Sequence, residues 1–349
     1  MYSIILAFIT AFLLTYLAIP SIISIAKKKK LFDEPGLRKS HKVSTPSLGG
    51  IGIFAGTIFS IILWTPFNFF GDLQYILCAF IIIFLIGAKD DIDPISPTKK
   101  FIGELFAAGI LVFKANVRLT SLYGILGVYE IPTWASIILS MFTILVIINS
   151  FNLIDGINGL SASIGSLIAI TLGVWFLLID RIEIAIVAFA TAGSTIAFLK
   201  YNITPARIFM GDTGSLLLGT VCSILAILFI ELNNVVIDSP YAFKAAPSVA
   251  FGILILPLFD TLRVFLTRIL QGRSPFQPDR QHIHHLLVDS GLTHMQATVL
   301  LVMVNLLFIF IVVKLQNIGT LNLLLVILGI ATLLSTLLMI ISGSKKKMV

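Results

Sequence analysis

Charge and cysteine are both scarce in this chain, and each shortage narrows what it can be. Only 12% of its 349 residues are Asp, Glu, Lys or Arg, while 58% are hydrophobic. An ordinary soluble domain is about 25% charged. So little charge cannot cover a water-facing surface, which excludes a soluble globule and a disordered polymer alike. The two cysteines, Cys78 and Cys222, each stand inside an apolar run. They offer no disulfide framework and no zinc spacing, so both read as packing residues. Internal repeats are not evident, and the lysine runs are the only low-complexity stretches. A polytopic membrane protein remains.

Long apolar sequence is what the chain has in excess. Hydropathy marks eleven segments, at about 3–26, 48–65, 73–88, 101–115, 134–150, 160–179, 182–199, 213–231, 246–267, 296–313 and 320–341. The runs are continuous rather than alternating, which favours helices over barrel strands. The expected fold is an all-α polytopic bundle of about eleven transmembrane helices, forming one membrane-embedded domain over residues 1–349. The basic run Lys27–Lys30 follows the first apolar segment instead of preceding it, the reverse of a signal peptide. With the N-terminus outside and the C-terminus cytoplasmic, 19 of the 24 Lys and Arg residues fall inside, leaving Lys114, Arg118, Arg181, Lys244 and Lys314 outside. Trp64, Trp134 and Trp175 then fall toward the outer ends of their spans, as an interfacial belt requires. The net charge of +7 is thereby a topological signal; its dispersal over many loops argues against a nucleic-acid partner.

The same topology gathers the polar chemistry on the inner face, including all five histidines. The first inner loop runs Arg38-Lys39-Ser40-His41-Lys42 to Gly49-Gly50, and Lys42 beside a glycine-rich turn suits an anion. The second carries Asp90-Asp91-Ile92-Asp93, then Lys99-Lys100. Clustered carboxylates repel one another and invite a cation, or else neutralise the adjacent lysines. In the third, Asn149, Asn152 and Asp155 recur at a spacing of three along adjoining parts of one helical face, followed by Gly156, Asn158 and Gly159. Amides beside a carboxylate suit a hard, oxygen-ligated cation such as Mg²⁺; polar packing between helices is the other reading. The fourth, Gly211-Asp212-Thr213-Gly214-Ser215, opens an apolar helix whose free N–H groups can face an anion, with Asp212 either a metal ligand or an N-cap. The last holds Arg273, Arg280, His282, His284, His285 and Asp289. Without a cysteine or a fourth ligand nearby, contact with phosphate or nucleotide fits these groups better than zinc.

Taken together, these five blocks resemble the polyprenyl-phosphate N-acetylhexosamine-1-phosphate transferase family, glycosyltransferase family 4, over nearly the whole chain. The string Asp279-Arg280-Gln281-His282-Ile283-His284-His285 is more similar to the branch that starts envelope glycans with undecaprenyl-phosphate GlcNAc-1-phosphate transfer than to the phospho-MurNAc-pentapeptide transferase branch. The resemblance implies a catalytic set of Asp90, Asp91, Lys100 and Asp155, with Lys100 rather than Lys99 contacting phosphate. It implies Asp212 and Asn152 as metal ligands for Mg²⁺, with Mn²⁺ as the alternative. Lys42, Asn149, Asn158, Gly211, Arg280, His282, His284 and His285 would bind substrate. Asn158 departs from the pattern, since many bacterial members have aspartate there.

The reaction implied is transfer of an N-acetylhexosamine phosphate from a UDP-sugar to undecaprenyl or a similar polyprenyl phosphate, releasing UMP, at the bacterial cytoplasmic membrane. The phosphomonoester carries about −1.5 to −2 charges near neutral pH, so cations must come before any base. Asp90 and Asp91 are therefore expected to position metal or acceptor. The rival of another class is a secondary transporter, which would need ionisable groups near the bilayer midplane; Glu104 and Asp260 are the nearest candidates. Membrane lipid is an expected partner, and a homodimer stays open.

Overall fold

The computed structural model describes residues 1–32, 45–274 and 280–346. It is a helical bundle: α1 (Tyr2–Lys29), α2 (Gly49–Trp64), α3 (Leu73–Ile92), α4 (Pro97–Phe113), α5 (Thr133–Ile154), α6 (Leu160–Leu178), α7 (Ile182–Asn202), α8 (Gly211–Val235), α9 (Ala246–Ile253), α10 (Ile255–Leu270), α11 (Ile283–Asp289), α12 (His294–Leu315) and α13 (Thr320–Lys346). Each of the eleven apolar segments falls on a helix or, for the ninth, on the α9–α10 pair. Among the described residues, seven helices (α1, α5, α6, α7, α8, α12 and α13) are long and apolar enough to cross a membrane, or up to eight if the bent pair counts as one span. Length and composition thus fit a polytopic membrane protein, with seven or eight candidate spans where eleven were expected.

One departure from an all-α chain is a short antiparallel hairpin, β1 (Ser121–Ile125) with β2 (Val128–Glu130). The loop before it is tied to the C-terminal end of α8: Thr120 donates its N–H and hydroxyl to the two oxygens of Glu231 at 2.8 and 2.6 Å. Within the hairpin, the Tyr123 hydroxyl donates to the Ile230 carbonyl.

α8 is the axis of the bundle. It packs against α2, α3, α5 and α6, and 78% of its apolar window is buried, against 17% for α13. A helix apolar on every face belongs at the centre, and a poorly covered one is left facing lipid. Close approach at one end of α8 depends on Gly87: a methyl group there would lie 2.5 Å from the Cα of Thr213. This is how α3 delivers its carboxylates to the start of α8.

The expected single span at 246–267 is broken, with α9 and α10 meeting at 84°. Pro257 explains the break, because it has no N–H to give the carbonyl of Ile253 four residues earlier. Asn305 of α12 satisfies that carbonyl instead, donating Nδ2 at 3.0 Å. Two smaller expectations also change. Trp134 is 68% exposed, as a belt residue should be, but Trp175 is 5% exposed, with Nε1 donating to the Tyr241 carbonyl at 2.9 Å. Cys222 is buried as a packing residue, whereas Cys78 lies at the surface.

Candidate active site

Four helix ends converge on one cavity. The C-terminal ends of α3 and α5 meet the N-terminal ends of α4 and α8, bringing together Asp90, Lys100, Asn152 and Asp212. Lys100 bridges the carboxylates, donating to Asp90 Oδ2 at 3.2 Å and to Asp212 Oδ2. Asn152 donates Nδ2 to the other Asp212 oxygen at 2.7 Å and contacts Ser215 Oγ at 3.1 Å. Asp90 is held in turn by the Ile95 N–H at 2.8 Å. Lys100, and not Lys99, is the lysine that meets these acids.

Asp91 faces another way. Its carboxylate accepts from the Asp212 N–H at 2.8 Å, the Thr213 N–H at 3.0 Å and the Thr213 hydroxyl at 2.6 Å. Free N–H groups at a helix start need acceptors, and a carboxylate there also meets the positive end of the helix dipole. Asp91 thus caps α8 from a different helix, which leaves the side chain of Asp212 for Lys100 and Asn152. Gly211, at φ 72°, makes the turn that presents Asp212.

The cavity measures about 660 Å³. That is a normal size for a small-molecule site, about 300–1,000 Å³. Asp90, Asp91, Asn152, Asp155, Asn158, Gly211, Asp212 and His285 line it. Burial, with the Asp212 and Asp91 carboxylates nearby, raises the Asp155 carboxyl well above the usual carboxylate range. Asn158 donates to Thr204 Oγ1 at 2.8 Å.

Other expected residues stand apart from the cavity wall. Asn149 is turned to Glu104, donating Nδ2 at 2.7 Å to a carboxylate 1% exposed. Arg280 pairs with Asp289 at 3.0 Å. His282 is bound to Asp260, and His284 is buried at 1% exposure behind Gly156, where an added methyl group would come within 2.2 Å of its Nε2. Lys42 lies outside the described residues. Sequence reasoning missed Ser47, Asn202, Phe209 and His294, all of which line the cavity. Asn202 holds the loops beside it, accepting from the Gly159 N–H at 2.7 Å and donating to the Ile208 carbonyl at 2.9 Å. An asparagine at the end of an apolar helix was the available signal.

Comparison with known proteins meets this site directly. The model of "Glycosyl transferase family 4" matches residues 73–230, the stretch from α3 to α8 that carries Asp90, Lys100, Asn152 and Asp212. An undecaprenyl-phosphate alpha-N-acetylglucosaminyl 1-phosphate transferase of Escherichia coli O157:H7 is 32% identical over 300 residues, 84% of this chain and 78% of its own length. The chain belongs to glycosyl transferase family 4. The transferase of the same designation from Yersinia pestis is 32% identical over 285 residues, 79% of this chain and 74% of its own. A Bacillus subtilis (strain 168) relative is 32% identical over 312 residues, 88% and 84% of the two chains.

For a family 4 chain the fit of a divalent cation can be judged from the donors. No group of three or more His, Cys, Asp or Glu residues placed to hold a metal occurs among the described residues. The carboxylates of Asp90 and Asp212 and the amide of Asn152 are nevertheless hard oxygen donors. Such a set matches Mg²⁺, which takes one or two carboxylates and fills its other positions with water and phosphate. The ammonium of Lys100 now occupies the space between the two carboxylates.

Proposed function

We propose that this chain transfers N-acetylglucosamine 1-phosphate from UDP-N-acetylglucosamine to undecaprenyl phosphate, releasing UMP. A phosphate oxygen of the lipid forms a bond to the sugar-bearing phosphorus of the donor. The bond from that phosphorus to the oxygen of UMP breaks, so no phosphorus stays on the protein. The lipid phosphate is already largely ionised near neutral pH, with a second pKa of about 6, which leaves little for a base to do. The problem is repulsion between anions at a low-dielectric boundary, and the juxtaposition of Lys100 with Asp90, Asp212 and Asn152 carries this reading.

Lys100 supplies positive charge beside the transferring phosphoryl group. Asp212 and Asn152, with Asp90, would hold Mg²⁺ (Mn²⁺ as the alternative), which when bound neutralises phosphate charge. Asp155, Asn158 and His285, which line the cavity, would contact the donor. Lys42, Asn149, Gly211, Arg280 and His284 complete the proposed binding set, Gly211 from the cavity wall and Asn149, Arg280 and His284 without lining it. The enzyme would be one membrane-embedded domain of the bacterial cytoplasmic membrane, with the cavity on the cytoplasmic face. Eleven spans with the N-terminus outside remain the arrangement that best suits the distribution of Lys and Arg.

Purified protein in undecaprenyl-phosphate vesicles, given UDP-N-acetylglucosamine and Mg²⁺, should release UMP and form the diphosphate-linked lipid, detected by mass spectrometry. Asp212→Asn and Lys100→Met should each lower kcat by about a hundredfold or more. Labelled phosphate trapped on the protein by donor alone would refute single displacement. No lipid product from any N-acetylhexosamine donor would refute the transferase reading.

A further inference from the structure

The histidine segment is anchored by α10, far in sequence from the catalytic helices. Asp260 is 1% exposed, and its carboxylate meets three partners. Oδ2 lies 3.0 Å from His282 Nδ1, and Oδ1 accepts from the Ile283 N–H at 3.0 Å and from Arg263 Nη2 at 2.9 Å. Arg263 also donates to the Gln281 carbonyl. Two side chains one helical turn apart therefore grip three consecutive residues, 281–283, just ahead of and at the start of α11. A buried carboxylate is stable only when its oxygens are paired, and here they are.

The consequences run along the ring series. A carboxylate can only accept, so this contact places the His282 proton on Nδ1. The His282 ring stacks over His284 at 5.8 Å, and His284 meets His285 at 4.2 Å. Of these three, only His285 lines the cavity. Among the described residues His284 has no hydrogen-bond partner on either nitrogen, and its ring packs between its neighbouring rings and Gly156.

We propose that Asp260 is a positioning residue of the transfer reaction, acting through His282 and Ile283 to set where His285 stands in the cavity. His282 is then a link in this connection and not a substrate contact. The inference rests on the transferase reading above.

Two measurements test it, one needing no turnover. Hydrogen exchange of the peptide containing Ile283 should quicken by about tenfold in Asp260→Asn and in His282→Gln. In steady-state assays Asp260→Asn should raise KM for UDP-N-acetylglucosamine by about tenfold with a smaller change in kcat, because donor binding is what His285 serves. The amide of Asn places an N–H where His Nδ1–H stands, whereas that of Gln reaches only the Nε2 position. His282→Asn should accordingly lose about tenfold less kcat/KM than His282→Gln, and the double variant Asp260→Asn/His282→Gln should be no worse than the poorer single one. If Asp260→Asn does not fold, the two His282 variants decide alone, since they leave the Asp260–Arg263 pair in place. His282→Gln outperforming His282→Asn, additive losses, or unchanged exchange and KM would each overturn the proposal. A wild-type protein without transfer activity would sink the transferase reading, while the exchange result would still report on the anchoring.

Discussion

Asp90 and Asp91 are neighbours in sequence but do different work, because each touches a different group. Asp91 accepts three hydrogen bonds at the start of α8, and Asp90 meets Lys100. Asp91→Asn cannot accept all three, so it should cost about 1 kcal/mol or more of stability, as lost helix caps do, read as a lower Tm. Asp90→Asn should cut kcat with a much smaller change in Tm; equal effects on both quantities in both variants would contradict this division. The histidines give a second prediction. Burial, with the Arg280 guanidinium nearby, pushes His285 down to about 4, and burial with the adjacent His285 holds His284 well below the usual imidazole range. An unfolded histidine titrates near about 6.5, so between about 4 and 6.5 the unfolded chain binds more protons and stability rises with pH. The contribution is complete above the unfolded value and is lost as pH falls through the folded one. A Tm profile from pH 4 to 7 should show this slope, His285→Asn should flatten it, and the His285 imidazole resonance should not titrate between pH 6 and 8.

At the scale of elements, polar residues repair what helix interruptions expose. Pro257 frees the Ile253 carbonyl, and Asn305 of a different helix accepts the task of satisfying it. Asn305→Leu should lower stability by about 1 kcal/mol, near the upper part of the range for hydrogen bonds between membrane helices. Pro257→Ala in the same background should recover part of that loss by returning an N–H to the carbonyl, and no recovery would show that the bend has another cause. The hairpin at 121–130 escaped sequence reading because it is short and sits between two strongly apolar helices; it is held through Thr120 and Tyr123, which bond to Glu231 and the Ile230 carbonyl of α8, an element far along the chain. Likewise Asn149, placed by spacing beside Asn152, turns out to face Glu104. Residues three apart on a helix share a side only loosely, and a neighbouring helix decides which of them meets the cavity.

For the whole molecule, convergence is the property that function requires. Helix ends separated by more than a hundred residues supply Asp90 and Asp212, yet one lysine touches both. If that convergence is on the cytoplasmic face, single cysteines at Asp93 and Asn158 should react with an impermeant thiol reagent only in inverted vesicles, with Asp238 reacting only from the outside. The native Cys78 and Cys222 are replaced by serine for this experiment. Labelling of Asp93 and Asn158 from opposite faces would end the proposal.

Amino-acid composition alone established a membrane-spanning helical chain, because lipid tolerates few charges and demands internally paired backbones. The polar blocks at the ends of the apolar runs also marked the stretches that hold Asp90, Lys100, Asn152 and Asp212, while the choice of these residues within them came from the family resemblance. Partnership was beyond its reach. Which aspartate caps α8, which asparagine meets the cavity, and how Asp260 holds His282 are decided by distances across helices, and a hydrogen bond made through space leaves no spacing along the chain to read.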